Sequence, residues 1–317
     1  MFEKIVEQIE KYDSIVIFGH LNPDGDCYGA QVGLREIIHS LYPSKKIYIT
    51  GTGCPRFFSI LPPVDDVALD IIKESLAILV DANDLTRMED QRVYDARAFA
   101  KIDHHIDTGS FKEGPQVVDT SANSACDILT RMALELGVRV SVTGATALYL
   151  GILTDSARFQ FVEDYPSTFE RVKYLSECGA RIKELNVLLS KTSENSLAAK
   201  GYIMTHYQKT DDGVVYIIYP KETLRKLHLS TNEASSMINL LGSIEGYPIW
   251  ASFAEYEDGK VRVEFRSNGP AVQPCAARIG GGGHAQASGA QLAKLDYSEI
   301  DEIIEDLNDT LRKWRKK

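Results

Sequence analysis

Aspartate and histidine residues follow several apolar segments of the sequence, and these residues are the ones best suited to chemistry. An early segment reads His20-Leu21-Asn22-Pro23-Asp24-Gly25-Asp26, and later apolar runs lead into Asp81, Asp103-His104-His105 and Asp155. Because ligands of α/β sheets bind at the carboxyl ends of parallel strands, we expect these side chains to meet at one edge. The pattern indicates a centre that holds two divalent cations and cleaves phosphoesters.

Two cations at this edge would supply the reactive group. Cations about 3.5–4 Å apart share a hydroxide that both charges make acidic, and this hydroxide attacks phosphorus in line. Carboxylates held so close would repel each other without metal, so the cations would also relieve that repulsion. Mn²⁺ suits a mixture of imidazole and carboxylate ligands, whereas Mg²⁺ prefers oxygen and water and is the weaker candidate.

The Asp24-Gly25-Asp26 segment is expected to be an extended loop, because its glycine permits a sharp turn and residues i and i+2 lie on one side. Each of its carboxylates could then reach a different cation, while Asp81 could bridge both. His20, His104 and Asp155 could complete the ligand set. Each residue alone also fits an ordinary structural role in a turn, core or cap, but their joint placement favours the metal centre.

The elements that must position these residues alternate between strand and helix. Continuous apolar runs predict strands at 14–19, 46–50, 76–80, 98–102 and 117–118. Helical spacing predicts helices at 2–12, 30–41, 124–136, 143–153 and 167–177. Such alternation is typical of an α/β fold with a mostly parallel sheet flanked by helices.

A change of composition divides the chain. Residues 191–200 are polar and lack a core stripe, and beyond them we predict strands at 214–219, 249–256 and 260–265 and helices at 231–241 and 298–314. We therefore expect a catalytic metal-binding domain at 1–188, a linker at 189–212 and a smaller α/β substrate-binding domain at 213–317.

Five motifs resemble those of the DHH phosphoesterase family and its DHH-associated C-terminal domain, in order along nearly the whole chain. They are His20-x-x-Pro23-Asp24-Gly25-Asp26-x-x-Gly29, Val80-Asp81, Asp103-His104-His105, Gly151-Ile152-Leu153-Thr154-Asp155 and Gly281-Gly282-Gly283-His284-Ala285-x-Ala287-x-Gly289. Size and layout are similar to the nanoRNase type of that family, which acts on oligoribonucleotides and on 3′-phosphoadenosine-5′-phosphate. Departures from the family pattern at 106–110 and 154–158 remove no expected ligand.

The resemblance implies a role for each residue of the cluster. His105 would face the substrate phosphate or protonate the leaving oxygen, and Asp103 would orient the histidines. Arg87 and Arg158 are weaker candidates for substrate contacts. The first cation would be held by His20, Asp24 and Asp81, and the second by Asp26, Asp81, His104 and Asp155.

The glycine run in the second domain predicts a phosphate-binding site. Residues 280–283 are four successive glycines, which expose backbone N–H groups and permit close approach of an anion. His284 and Arg266 can add charge-assisted hydrogen bonds, and Ser267 and Asn268 can donate further ones. If this domain binds one end of a short nucleotide while the first domain cleaves it, short substrates are favoured over long strands.

Composition limits the partners. The 317 residues carry 35 Lys and Arg against 45 Asp and Glu, a net charge of −10, which argues against long duplex nucleic acid. We expect a short RNA, mononucleotide or dinucleotide substrate, no membrane segment and a cytoplasmic protein; a homodimer stays open. The five cysteines show no disulfide or zinc pattern, although Cys27 lies inside the first metal motif.

Other activities remain open. The same machinery serves cyclic-di-AMP or pApA phosphodiesterases, which the sequence does not separate well from the nanoRNase type. A RecJ-like single-strand DNA exonuclease is less favoured by the acidic charge, and a family inorganic pyrophosphatase by the glycine-histidine motif. A non-catalytic nucleotide sensor would be expected to lose metal ligands, and every expected ligand is present here.

Overall fold

The computed structural model describes residues 1–106, 109 and 111–316. The chain forms two compact units, Met1–Ser190 and Lys191–Lys317. In the segment after the two histidines, residues 107, 108 and 110 lie outside the described part. The stretch predicted as a linker contains a helix, Glu194–His206, in which Ala199 and Ile203 are buried.

A parallel sheet with helices on both faces forms the first unit. In its described residues the strand order is β2-β1-β3-β4-β5, and every neighbouring pair is parallel. Ile15 and Ile17 of β1 pack into one hydrophobic cluster while Val16 and Phe18 pack into another, because alternate side chains of a strand point to opposite faces. The strands are β1 Ser14–Phe18, β2 Lys46–Ile49, β3 Leu76–Val80, β4 Ala98–Asp103 and β5 Gln116–Val118.

Helices cover the sheet of this unit. Those predicted at 2–12, 30–41, 124–136, 143–153 and 167–177 are present, one with a displaced start, and the helix at Ile182–Ser190 was not predicted. The second helix begins at Gly25, not near residue 30. Short 3₁₀ helices occupy Pro55–Phe57, Leu85–Arg87 and Gln91–Asp95. The α-helices are α1 Glu3–Lys11, α2 Gly25–Leu41, α3 Leu69–Glu74, α4 Ala125–Glu135, α5 Val142–Asp155, α6 Tyr165–Glu177 and α7 Ile182–Ser190.

The second unit contains a mixed sheet with strand order β10-β11-β9-β8-β7-β6 in the described residues. β7 and β8 are parallel, and the other neighbouring pairs are antiparallel. A hairpin at residues 257–259 joins β8 to β9, with Gly259 at a φ of 86°. The strands are β6 Gln208–Lys209, β7 Val214–Tyr219, β8 Ile249–Glu255, β9 Val261–Ser267, β10 Gly282–His284 and β11 Ala287–Leu292.

Helices pack on both faces of this second sheet. The long C-terminal helix buries Ile300, Ile304 and Leu307 against β7, β8 and β9, as its apolar spacing predicts. The helix predicted at 231–241 is shorter, and a 3₁₀ helix, Ile238–Ser243, follows it. The helices are α8 Glu194–His206, α9 Lys221–Lys226, α10 Thr231–Ser236, α11 Gln273–Arg278 and α12 Tyr297–Arg315.

None of the described helices is both long enough and apolar enough to cross a bilayer.

Candidate metal centre

Three adjacent parallel strands bring polar residues to one edge of the first sheet. β1 leads into His20, β3 into Asp81, and β4 ends at Asp103 and continues into His104 and His105. Asp81 takes a left-handed conformation with φ 57°, and its N–H donates to the Ile102 carbonyl at 3.0 Å. A non-glycine residue held in this region is typical of a functional site, because the surrounding structure must impose it.

Asp81 lies at the centre of the cluster. Its Oδ2 is 3.4 Å from Nε2 of His20, and its Oδ1 is 3.3 Å from Nε2 of His104 and 3.5 Å from Nδ1 of His105. The side chain is only 3% exposed. This single carboxylate therefore contacts imidazole rings on two sides.

The Asp24-Gly25-Asp26 segment is not the extended loop that we predicted. Asp24 is the N-cap of α2, and its Oδ1 accepts hydrogen bonds of 3.0 Å from the N–H groups of Asp26 and Cys27. Capping satisfies backbone donors that an extended loop would leave to water, which explains why the helix begins here. Asp24 remains exposed, with Oδ1 4.0 Å from Nε2 of His20.

Asp26 is buried in the first turn of α2 and is held by the N-terminus of α4. Its two oxygens accept hydrogen bonds from the N–H groups of Ala125 at 2.7 Å and Cys126 at 2.9 Å. A helix N-terminus stabilises a carboxylate through these free donors and its dipole. His104 lies between this carboxylate and Asp155 at the end of α5, with Nε2 3.9 Å and 3.4 Å from their Oδ2 atoms.

A stripe of glycines lets α2 approach α5 closely enough to bring Asp26 near Asp155. A Cβ added at Gly25 would lie 2.4 Å from Oγ1 of Thr154, and one at Gly29 2.5 Å from the Ala147 carbonyl oxygen. At Gly151 a Cβ would lie 2.5 Å from Oδ1 of Asp26. This packing role was not predicted from the sequence, although glycines at 25, 29 and 33 recur with helical spacing.

Asp103 holds His105 in place. Its fully buried Oδ1 accepts the His105 N–H at 3.2 Å and lies 2.9 Å from Nδ1 of the His105 ring. This contact raises the pKa of His105, because the hydrogen bond with Asp103 outweighs burial. About half of the His105 side chain is exposed, so its ring is both anchored and accessible.

Crowding shifts the titration of the cluster. Burial lowers the pKa of His20 and of His104, but Asp81 and the neighbouring carboxylates outweigh burial and raise each to about 9. Burial raises the pKa of Asp155 to about 6, even though His104 opposes it. Burial and the charges of Asp81 and Asp155 raise the pKa of Asp26. The cluster thus holds protons at positions that a cation would take.

The donor set fits divalent cations. Asp81 Oδ1 is buried and has no hydrogen-bond partner among the described residues, which is costly unless an ion or water binds it. Three groups of side chains each offer potential ligand atoms that lie within 4.8 Å of one another. They are Asp81 with His104 and His105, Asp26 with His104 and Asp155, and His20 with Cys27 and Asp81.

A pocket of about 230 Å³ opens beside this cluster. Arg87 lines it at the end of a short 3₁₀ helix, and its carbonyl accepts the Leu21 N–H at 2.8 Å. Arg158 lies three residues after Asp155, in left-handed backbone at φ 61°. The pocket is lined by His20, Asp24, Asp81, Ala82, Asn83, Arg87 and His105.

The glycine-rich segment of the second unit is an edge strand, not an irregular loop. β10 pairs with β11 through Gly282 opposite Gly289 and His284 opposite Ala287. Gly282, Gly283 and His284 are exposed, and Gly281 is half-buried.

Arg266, Gly282 and Gly283 line a pocket of about 490 Å³ on the second sheet. Arg266 is held by an ion pair of 2.9 Å from Nη2 to Oε2 of Glu264. Ser267 is buried, and its hydroxyl donates to the Pro270 carbonyl. The structure thus brings Arg266 together with the glycine segment, while the Ser267 hydroxyl is engaged inside the protein.

The sequence of this chain matches two known protein families. Residues 14–152 match the model of the DHH family, N-terminal domain, and residues 212–313 match that of the DHHA1 domain. Similar curated proteins include the bifunctional oligoribonuclease and PAP phosphatase NrnA of Bacillus subtilis (strain 168), 34% identical over 310 residues and 97% of each chain. The protein of the same name in Mycoplasma pneumoniae is 35% identical over 93% of each chain.

Two further likenesses are more distant. The cyclic-di-AMP phosphodiesterase GdpP of Geobacillus thermodenitrificans is 26% identical over 94% of this chain and 47% of its own length. Among solved structures, an exopolyphosphatase-related protein from Bacteroides fragilis superposes with a TM-score of 0.83 at 22% identity, over 98% of this chain and 95% of that one. The latter likeness shows the fold.

Proposed function

Because the chain belongs to the DHH family, we propose that it hydrolyses short oligoribonucleotides and 3′-phosphoadenosine-5′-phosphate. Its membership makes it a phosphoester hydrolase. The observation that carries the substrate proposal is the near-full-length similarity to NrnA proteins, whose names state both activities. The clustered carboxylates and imidazoles at the edge of the first sheet support the same chemistry.

Two divalent cations would complete the centre, and Mn²⁺ suits its mixed ligands best. When bound, such cations acidify water and withdraw charge from phosphoryl oxygens. Asp81 contacts imidazoles on both sides and would be shared. The ligands would be His20, Asp24 and Asp81 for one cation and Asp26, Asp81, His104 and Asp155 for the other.

The accessible imidazole of His105 would act on the substrate. Asp103 holds its Nδ1 at 2.9 Å and raises its pKa, so the ring is oriented and favours its protonated form. In that form His105 can donate a hydrogen bond to a phosphoryl oxygen or a proton to the leaving oxygen. Arg87, which lines the same pocket, would add positive charge for an anionic substrate.

The second unit would bind the nucleotide through its glycine-rich strand. The exposed backbone at Gly282 and Gly283 suits phosphate oxygens, and Arg266 offers a planar fork of donors. Gly281 would permit close approach beside them, while its own N–H donates to the Ala276 carbonyl at 2.8 Å. His284 is exposed on the same strand and could add a charge-assisted bond. We accordingly assign metal chemistry to residues 1–188 and substrate binding to 213–317.

Five free cysteines agree with a reducing compartment such as the cytoplasm.

Hydrolysis of cyclic di-AMP is the second candidate activity. The similarity to GdpP over 94% of this chain favours it, because that relative is named for this reaction. The matched region is only 47% of GdpP, so more than half of that protein lies outside the similarity.

A side-by-side assay would decide between these substrates. The protein is incubated in Mn²⁺ with pApA, 3′-phosphoadenosine-5′-phosphate or cyclic di-AMP, and products are resolved by chromatography. We expect cleavage of the first two with little of the third. Preference for cyclic di-AMP would replace the first proposal by the second, and binding without any product would indicate a nucleotide sensor.

Two aspartate variants control this assay. Asp81→Ala removes the central carboxylate and should lower turnover by more than about 100-fold, since changes outside the ligand shell already cost about 10–100-fold. Asp70→Ala removes an exposed carboxylate from α3 and should leave turnover unchanged. Full activity of a folded Asp81→Ala protein would contradict the assignment of the centre.

A further inference from the structure

Cys27 lies inside the first metal motif without a part in the proposed reaction. It occupies the first turn of α2, its side chain is fully buried, and it follows Asp26 directly. The His20 N–H donates to its Sγ at 3.2 Å. The Cys27 thiol therefore contacts the backbone of His20, a proposed ligand, and is adjacent in sequence to Asp26, another proposed ligand.

The thiol shares a group of ligand atoms with His20 and Asp81. One atom from each of the three side chains lies within 4.8 Å of the other two. Among the cysteines, all of which the structure describes, Cys27 is the one that joins such a group. Within this group the buried Asp81 carboxylate faces His20 through its Oδ2, which lies 3.4 Å from Nε2 of that ring.

Sulfur, imidazole nitrogen and carboxylate oxygen together select a different cation from the proposed activator. Thiolate ligands favour soft or borderline cations such as Zn²⁺ and Cd²⁺, while Mg²⁺ and Mn²⁺ prefer oxygen. Zn²⁺ is bound at about 2.3 Å from sulfur and 2.0–2.2 Å from nitrogen or oxygen, so small movements would close this group around it.

We propose that Cys27, His20 and Asp81 form a site for a thiophilic divalent cation, which competes with the activating cation for His20 and Asp81. On binding, the S–H bond of Cys27 breaks, its proton passes to solvent and a sulfur–metal bond forms. No electron is transferred. Occupancy removes two ligands from the proposed metal centre, so a thiophilic cation inhibits the enzyme. The proposal rests on the proposed centre, but its first test uses no substrate.

Cd²⁺ titration of the metal-free protein tests the site directly. We expect a thiolate-to-metal charge-transfer band in the ultraviolet that saturates at one equivalent. The band should disappear in Cys27→Ala and persist in Cys54→Ala, which removes a partly exposed thiol outside the group. A band of equal size in Cys27→Ala, loss of the band in Cys54→Ala, or no band in the unmodified protein would each overturn the proposal.

The unmodified protein provides a test that does not depend on folding of a variant. X-ray absorption at the cadmium edge, with one equivalent bound, should show one sulfur neighbour together with nitrogen and oxygen. A shell of nitrogen and oxygen alone would overturn the proposal whether or not the protein hydrolyses any nucleotide.

Inhibition supplies the functional arm. With Mn²⁺ fixed, the Zn²⁺ concentration that halves turnover should rise at least about 10-fold in Cys27→Ser, each protein being compared with its own rate without Zn²⁺. Cys54→Ala should behave as the unmodified protein. Equal Zn²⁺ sensitivity of Cys27→Ser and the unmodified protein would overturn the competition.

Discussion

The polar edge of the first sheet and the glycine-rich strand of the second unit differ in how firmly each is held. At the first, Asp26 accepts two backbone hydrogen bonds and Asp81 is 3% exposed. At the second, Gly282, Gly283 and His284 are exposed on an edge strand. The first site orders its groups before any ligand arrives, whereas the second offers donors that a ligand can engage from solvent.

This difference matches the different demands of catalysis and of anion binding. Groups that bind cations and act at a reacting phosphorus must be fixed in place, because small displacements are costly in rate. Groups that only bind an anion tolerate more freedom and contribute to affinity. We therefore expect changes at the first site to lower kcat and changes at the second to raise KM.

After Asp81, the largest effect on turnover should follow replacement of Asp103, the residue that holds His105. Asp103→Asn keeps the shape but removes the buried charge beside Nδ1. We expect kcat to fall roughly 10–100-fold with little change in KM, as for outer partners of catalytic imidazoles. The pKa of His105 should also fall, and because the protonated ring is the proposed donor, the basic limb of the pH–rate profile should move to lower pH. An unchanged profile with an unchanged kcat would refute a positioning role.

A smaller effect, on KM, is expected at Arg266. A hydrogen bond to a charged group contributes about 1.5–3 kcal/mol, and we expect the low end for Arg266→Ala because Glu264 already pairs with it. KM should rise roughly 10-fold at unchanged kcat. Arg225→Ala, which removes an exposed arginine from the same unit, is the matched control. A fall in kcat instead would erase the contrast between the two sites.

The close approach of α2 and α5 should be visible in stability. Gly29→Ala places a Cβ 2.5 Å from a backbone oxygen of α5. Overpacking of this kind costs about 1–3 kcal/mol, which denaturant unfolding can measure. Gly201→Ala meets nothing within 4 Å in α8 and should be neutral or slightly stabilising. Equal stability of the two variants would show that the glycine stripe is not required.

The smallest effect concerns pH. The folded-state pKa values of His20 and His104 are raised to about 9 from 6.5, so their contribution to stability is complete below pH 6.5 and is lost as pH rises to 9. The raised pKa of Asp155 acts in the same direction at lower pH. The melting temperature of the metal-free protein should therefore fall between pH 6.5 and 9. A rise of the melting temperature between pH 6.5 and 9 would contradict the raised pKa values of His20 and His104.

The sequence predicted the parts of the first unit that depend on local pattern. Apolar runs gave β1, β3 and β4, and the residues that follow them meet at one edge because the strands are parallel neighbours. The start of α2 was wrong, since an Asp-Gly pair was interpreted as a turn when Asp24 caps the helix.

Contacts between residues far apart in the chain could not be predicted from the sequence pattern. The amides that hold Asp26 come from Ala125 and Cys126, about a hundred residues away. The glycine run becomes a strand only because it pairs with β11, and that strand was missed because Ala287–Leu292 has little of the β-branched or aromatic character of strands. The helix at Glu194–His206 was missed because its apolar residues do not form one stripe: Ala199 and Ile203 are buried, whereas Leu197 and Met204 are exposed.

We propose that six side chains, with Asp81 at their centre, hold two cations side by side. Mn²⁺ binding, followed by calorimetry and by electron paramagnetic resonance, tests this claim most directly. We predict two cations per chain with magnetic coupling between them, and loss of the coupling with at least one cation in Asp81→Asn. A single cation in the unmodified protein, or two coupled cations in folded Asp81→Asn, would contradict the account.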